Sequence, residues 1–160
     1  VIDSLDFVRN ARAHHGKIPL NELARLQSYL FDSHGELLFA ISGSFNENNK
    51  PILQVTVQGE INLCCQRCLG KLVHPLDLQA NLLLVSDEVE LDQYDDDTVD
   101  SILATSDMDV LMLIEDEIIL SLSISSCHQK NECSIENNFT VDKKSSVHPF
   151  AKLAGLKKTH

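Results

Sequence analysis

Tryptophan is absent from this 160-residue chain, and the other aromatics are six Phe and two Tyr. So sparse a set argues against an aromatic stacking platform for single-stranded nucleic acid. No apolar run approaches the roughly 18 residues a membrane helix needs. The chain begins at Val1, and no basic-then-apolar leader precedes the first helical pattern, so a signal peptide is not expected. There is no glycine-rich phosphate loop, no Ser-x-x-Lys pair and no nucleophile elbow, so common signatures of catalysis are missing. Lys and Arg are missing from residues 86–120, which carry 13 Asp and Glu. The flanking stretches are nearly balanced, with 7 basic against 8 acidic residues before it and 6 against 3 after it. The formal net charge of −11 therefore arises in one segment. That segment reads as a solvated acidic loop, or more sharply as an arm for a basic protein or a mimic of phosphates. Overall acidity opposes diffuse DNA binding, which needs Lys and Arg against phosphates. It leaves room for a local basic face built from Arg9, Arg12, Lys17, Arg25, Arg67 and Lys71.

What the chain does have is a 43 % hydrophobic fraction at a length that suits one domain with its own core. Asp3 to Ala13 reads as a helix, with Asp3 as cap and Leu5, Val8 and Ala11 at helical spacing. His14, His15 and Gly16 end it, where an imidazolium suits the helix dipole. From Pro19 a second helical pattern places Leu20, Leu23, Leu26 and Leu30 on one face. After Gly35 the period becomes two. Leu37, Phe39, Ile41 and Phe45 share one parity, as do Leu53, Val55, Val57, Ile61 and Leu63, with Gly59 as a candidate bulge. A third strand turns Leu72, Leu76, Leu78, Ala80, Leu82 and Leu84 inward, with Pro75 marking an edge. Three such strands make an antiparallel meander with one buried face. Residues 86–107 read as a surface loop. Met108 to Ile119 reads as a helix through Leu111, Ile114 and Ile118, followed by a short strand in which Leu120, Leu122 and Ile124 alternate with serines.

The expected fold is therefore α+β, an antiparallel sheet, open or barrel-like, packed by two or three helices. Residues 1–133 form the domain. Residues 134–160 form a polar, flexible linker and a short amphipathic helix carrying Phe150, Leu153 and Leu156.

Five cysteines in a chain expected to be cytoplasmic read as thiols or metal ligands rather than disulfides. Cys65-Gln66-Arg67-Cys68 is a two-residue-spaced pair at the turn between the second and third strands, half of a zinc knuckle. His128 and Cys133 supply a second half, so Cys65, Cys68, His128 and Cys133 are the candidate ligands of one zinc ion. Cys127 is an alternative to His128, and Cys64 has the wrong strand parity. The competing reading of the same residues is ordinary reduced thiols. Ile114-Glu115-Asp116-Glu117-Ile118 invites an acid–base reading, but its spacing favours a solvent-facing helix surface.

Several stretches together, in order, resemble one family. They are Cys65-Gln66-Arg67-Cys68-Leu69, then Leu113 to Leu120, then His128 with Cys133, then Pro149-Phe150-Ala151 with Leu153, Leu156 and Lys157. This combination resembles the bacterial YceD family, the large ribosomal RNA subunit accumulation proteins, over nearly the whole chain, including the opening helix. The resemblance implies a cytoplasmic, non-enzymatic factor for synthesis, processing or stability of large-subunit ribosomal RNA. The alternative is a protein–protein adaptor for a ribosomal protein or assembly factor, acting on RNA indirectly. Any direct RNA contact falls to Arg9, Arg12, Arg25, Arg67 and Lys71, which avoid the acidic segment; no DNA or membrane partner is expected.

Overall fold

The computed structural model describes residues 1–93, 100–129, 132 and 133. Helix α1 (Ser4–Arg9) leads into strand β1 (Ala13–Pro19) and two short 3-10 turns, Leu20–Glu22 and Leu26–Ser28. Then come β2 (Glu36–Phe45), β3 (Pro51–Cys64), β4 (Lys71–Val85), α2 (Glu88–Gln93), β5 (Ser101–Leu103) and α3 (Val110–Ser121). The strands lie in sequence order in one five-stranded sheet, antiparallel except for the β4–β5 pair. Described residues give no pairing between β1 and β5, so the sheet is open and not a barrel. The α+β expectation holds. Among the described residues no helix is long and apolar enough to cross a membrane.

The period-two segments behave as their alternation demands. Leu37, Ile41, Leu53, Val55, Val57, Ile61 and Leu63 are all buried on one face of the sheet. Phe45 shares their parity but lies half-exposed at the end of β2. Its neighbour in that row is Gly43, where an added Cβ would sit 2.6 Å from Val8 Cα. Helix α1 rests on the sheet there, because glycine lets the two backbones approach. Gly59 is not a bulge. Gln58, Gly59 and Glu60 pair in unbroken register with Asp77, Leu76 and Pro75. A side chain at Gly59 would instead collide with Leu37 Cδ2 at 2.6 Å. Pro75 does mark an edge. Lys71 O and Leu83 N both bond outward, to His128 and Asp100, so the odd-numbered residues of β4 point away from β3. The missing N–H of Pro75 therefore falls on the side of β4 that β5 does not reach.

Four expectations need correction. Helix α1 stops at Arg9, because Ala11 turns left-handed at φ 46° and Arg12 N donates to Phe7 O, which launches β1. His14 and His15 therefore lie in a strand. Only Ile18 of β1 is buried, so this edge strand carries no alternation to read. The expected second helix is two 3-10 turns. Leu20, Leu23 and Leu26 are fully buried, but a three-residue spacing fits a 3-10 turn as well as an α-helix. The acidic segment is not all loop. Asp87 accepts from Glu90 N at the start of α2, Lys50 pairs with Glu90 at 2.6 Å, and β5 docks on Leu83–Val85. Finally, among the described residues no strand follows α3. The helix continues to Ser121, and Leu120 and Ile124 lie exposed. Residues 94–99 and the expected linker and helix of 134–160 lie outside the described residues.

Glu115 and Glu117 are also corrected, from surface to buried, at 5 % and 9 % exposure. Ile114 and Ile118 seat α3 on the sheet, and the two glutamates lie on opposite flanks of that stripe. Glu115 accepts from the backbone N–H groups of Arg25 (2.9 Å) and Leu26 (3.4 Å), while Arg25 pairs with Asp116 on the same helix. One carboxylate thus takes the place of the helical ladder in the 20–30 segment. Glu115→Ala is expected to cost about 2 kcal/mol in urea unfolding, because two amides near the core lose their acceptor; an unchanged unfolding midpoint would contradict this role.

Glu117 has no such partner among the described residues. Burial first, then the nearby Asp100 and Asp116 carboxylates, push its pKa above its ordinary value of 4.5. The folded state therefore holds this proton more tightly than the unfolded chain, and stability falls as pH rises through that window. Glu117→Gln should match the wild-type melting temperature at pH 4 and exceed it at pH 7. A gap that stays constant with pH would contradict this.

Candidate metal centre

The site forms where β3 hands over to β4. Cys65 N donates to Gly70 O and Leu69 N donates to Cys65 O, each at 2.9 Å, closing the turn. Leu69 takes the left-handed region at φ 58° to complete it. The turn points the Cys65 side chain inward, where it is fully buried, and sends Cys64 to the other side, its Sγ 3.7 Å from Leu69 O. The parity argument against Cys64 holds. After α3 the chain returns to this turn, and Gln66 N donates to Ser126 O at 2.9 Å. That return carries His128 and Cys133 to the cysteine pair.

One ligand atom from each of Cys65, Cys68, His128 and Cys133 lies within 4.8 Å of every other. Cys65 Sγ and Cys133 Sγ are 3.7 Å apart. His128 Nδ1 is 3.4 Å from Cys68 Sγ and 3.6 Å from Cys133 Sγ. Tetrahedral zinc, with Zn–S about 2.3 Å and Zn–N about 2.0 Å, sets ligand edges of roughly 3.8 Å between sulfurs and roughly 3.6 Å between sulfur and nitrogen. These three edges match those lengths. Cys127 is exposed, with its Sγ beside Ser125 Oγ.

The surroundings orient the ligands. His128 Nε2 lies 2.9 Å from Lys71 O. A carbonyl can only accept, so Nε2 carries the proton and Nδ1 faces the sulfurs with its lone pair. Arg67 Nε donates to Cys133 Sγ at 3.0 Å, and its Nη2 donates to the carbonyls of His128 (3.4 Å) and Gln129 (3.3 Å). Burial works to raise the Cys65 pKa, but the N–H groups of Cys68, His128 and Arg67 outweigh it and bring the thiol down to about 5. The His128 pKa is raised, first by Cys133 and then by the Lys71 carbonyl. Arg67 is raised as well, chiefly by Cys133. Cys65 is thus held as thiolate, the form a soft divalent cation requires, while binding such a cation through Nδ1 would displace the proton that the raised His128 pKa favours.

The five basic residues expected to meet RNA sit on three different parts of the chain. Arg9 and Arg12 stand at the end of α1, and Arg12 pairs with Asp6 at 3.3 Å. Arg25 pairs with Asp116 beside α3. Arg67 and Lys71 share the cysteine turn, Arg67 committed to Cys133 and Lys71 lying 3.6 Å from Asp32.

A family model, described as large ribosomal RNA subunit accumulation protein YceD, matches residues 53–157. The chain belongs to the YceD family. No curated protein and no solved structure matches it. The YceD match takes in β3, the cysteine turn, β4, α3 and all four candidate ligands, whereas α1, β1 and β2 lie outside it. The family description points to a role connected with large-subunit ribosomal RNA. Sequence reasoning missed Lys71 O as the partner of His128 and Arg67 as a donor to sulfur, since neither contact leaves a spacing signal.

Proposed function

We propose that this YceD protein is a cytoplasmic, non-enzymatic factor for accumulation of large-subunit ribosomal RNA, acting by binding, and that Cys65, Cys68, His128 and Cys133 hold one structural zinc ion. The observation that carries the reading is the four-ligand cluster, whose edges fit a zinc tetrahedron, at the end of a domain matched by the family model. Three cysteines and one histidine make a closed set with no position for substrate, which is the pattern of structural rather than catalytic zinc. The ion would tie the β3–β4 turn to the segment after α3. The same turn carries Arg67 and Lys71, two of the five basic residues expected to meet RNA, held there by Cys133 and Asp32.

Crosslinking in cells, followed by sequencing of bound RNA and identification of bound proteins, tests the function. Large-subunit RNA crosslinked at the cysteine turn supports direct binding. A second reading, an adaptor for a basic ribosomal protein or assembly factor, is favoured by the 13 acidic and no basic residues of the 86–120 stretch. Protein crosslinks with no RNA would select it.

A further inference from the structure

Beside α3, away from the cysteine turn, lies a cleft of about 750 Å³. It straddles the β4 edge at Leu78–Asn81, just before β5 begins to pair. One side chain in it is out of place. Glu117 lines the cleft at 9 % exposure, with no hydrogen bond or ion pair among the described residues. Most of the residue is out of water, and its carboxylate opens only onto the cleft, where among the described residues no donor or cation meets it. Asp100, the other charged residue of the lining, is also acidic. Arg25, which reaches α3 at Asp116, is committed to that pair.

The remaining lining separates into two kinds. Ile52, Leu78 and Ala80 offer aliphatic walls, and Gln54 and Asn81 add amide groups, the Gln54 Oε1 accepting from Ser42 Oγ at 3.4 Å. Such a combination suits a cationic head on a methylene stem, with the stem along apolar surface and the head at the charge. We propose that this cleft binds an aliphatic cation, an alkyl-ammonium or alkyl-guanidinium, with Glu117 as its principal counter-charge and Asp100 as the second. The group can come from a lysine or arginine side chain of a partner protein or from a free polyamine. The site stands independently of the zinc centre and of RNA binding.

The test titrates the full chain with spermidine and, separately, with a short lysine-containing peptide, followed by amide NMR shifts and calorimetry. Shifts centred on Glu117, Asp100 and Asn81 are expected. Glu117→Gln should weaken binding by about tenfold or more, as expected for losing a hydrogen bond to a charged group. Asp100→Asn should weaken it less. Tighter binding by the peptide assigns a protein partner, and tighter binding by spermidine assigns a free polyamine. N-acetylating the lysine of the peptide should abolish its binding. Shifts spread along the acidic residues 87–92, with affinity unchanged by Glu117→Gln and Asp100→Asn, would overturn the site as diffuse charge attraction. No binding of either probe at millimolar concentration would overturn it as well.

Discussion

Replacing Cys65 and Cys68 together by serine is expected to abolish zinc binding and lower the melting temperature by about 10 °C. The pair supplies two of the four ligand atoms, and Cys65 is fully buried. Isolated zinc fingers owe all their folding to the metal, but this domain has a large apolar core of its own, so only part of that energy is at stake. A loss of about 3 kcal/mol, at about 3 °C per kcal/mol for a chain of this size, gives the stated shift. Chelation of the wild-type protein should reproduce it. Cys64→Ser and Cys127→Ser should leave both zinc content and stability unchanged, because neither sulfur joins the cluster. Unchanged melting of the Cys65→Ser, Cys68→Ser variant would return these residues to ordinary reduced thiols.

Large-subunit RNA binding should weaken roughly twentyfold between about 50 and about 200 mM salt, taking about three phosphate contacts at a slope of about −0.7 each. The estimate is modest because most of the candidate cations already face a carboxylate or a sulfur: Arg12 with Asp6, Arg25 with Asp116, Lys71 with Asp32 and Arg67 with Cys133. Changing Arg67 and Lys71 together to Gln should reduce the salt slope by about 1.4. Zinc content has to be followed in the same variant, since Arg67 also steadies Cys133. The Lys71→Gln single variant should keep its metal, because His128 meets the Lys71 carbonyl and not its side chain. Salt-independent binding would contradict electrostatic contact.

The sheet was legible because β2, β3 and β4 up to Asn81 turn one face to the core and the other outward, so their alternation survives in the sequence; Leu82 to Val85 are buried on both faces. β1 and β5 were not, since an edge strand with one buried residue and a strand of three residues leave no periodic trace. The 20–30 segment misled for a different reason. Leucines three apart satisfy both an α-helix and a 3-10 turn, and the choice is made by Glu115, some 90 residues away in sequence. The metal site was legible in its ligands because a two-residue cysteine spacing is a local signal. What assembles it was not, because the return of the chain from α3 is held by long-range hydrogen bonds of Gln66, Arg67 and Lys71 that leave no local spacing. Glu117 carried no warning at all; its burial follows from how α3 is rotated on the sheet.

X-ray absorption at the zinc edge, with metal counting on protein purified without chelator, tests the centre most directly. One zinc per chain, bound by three sulfurs and one nitrogen, is expected. Substoichiometric zinc, or a first shell dominated by oxygen, would contradict it.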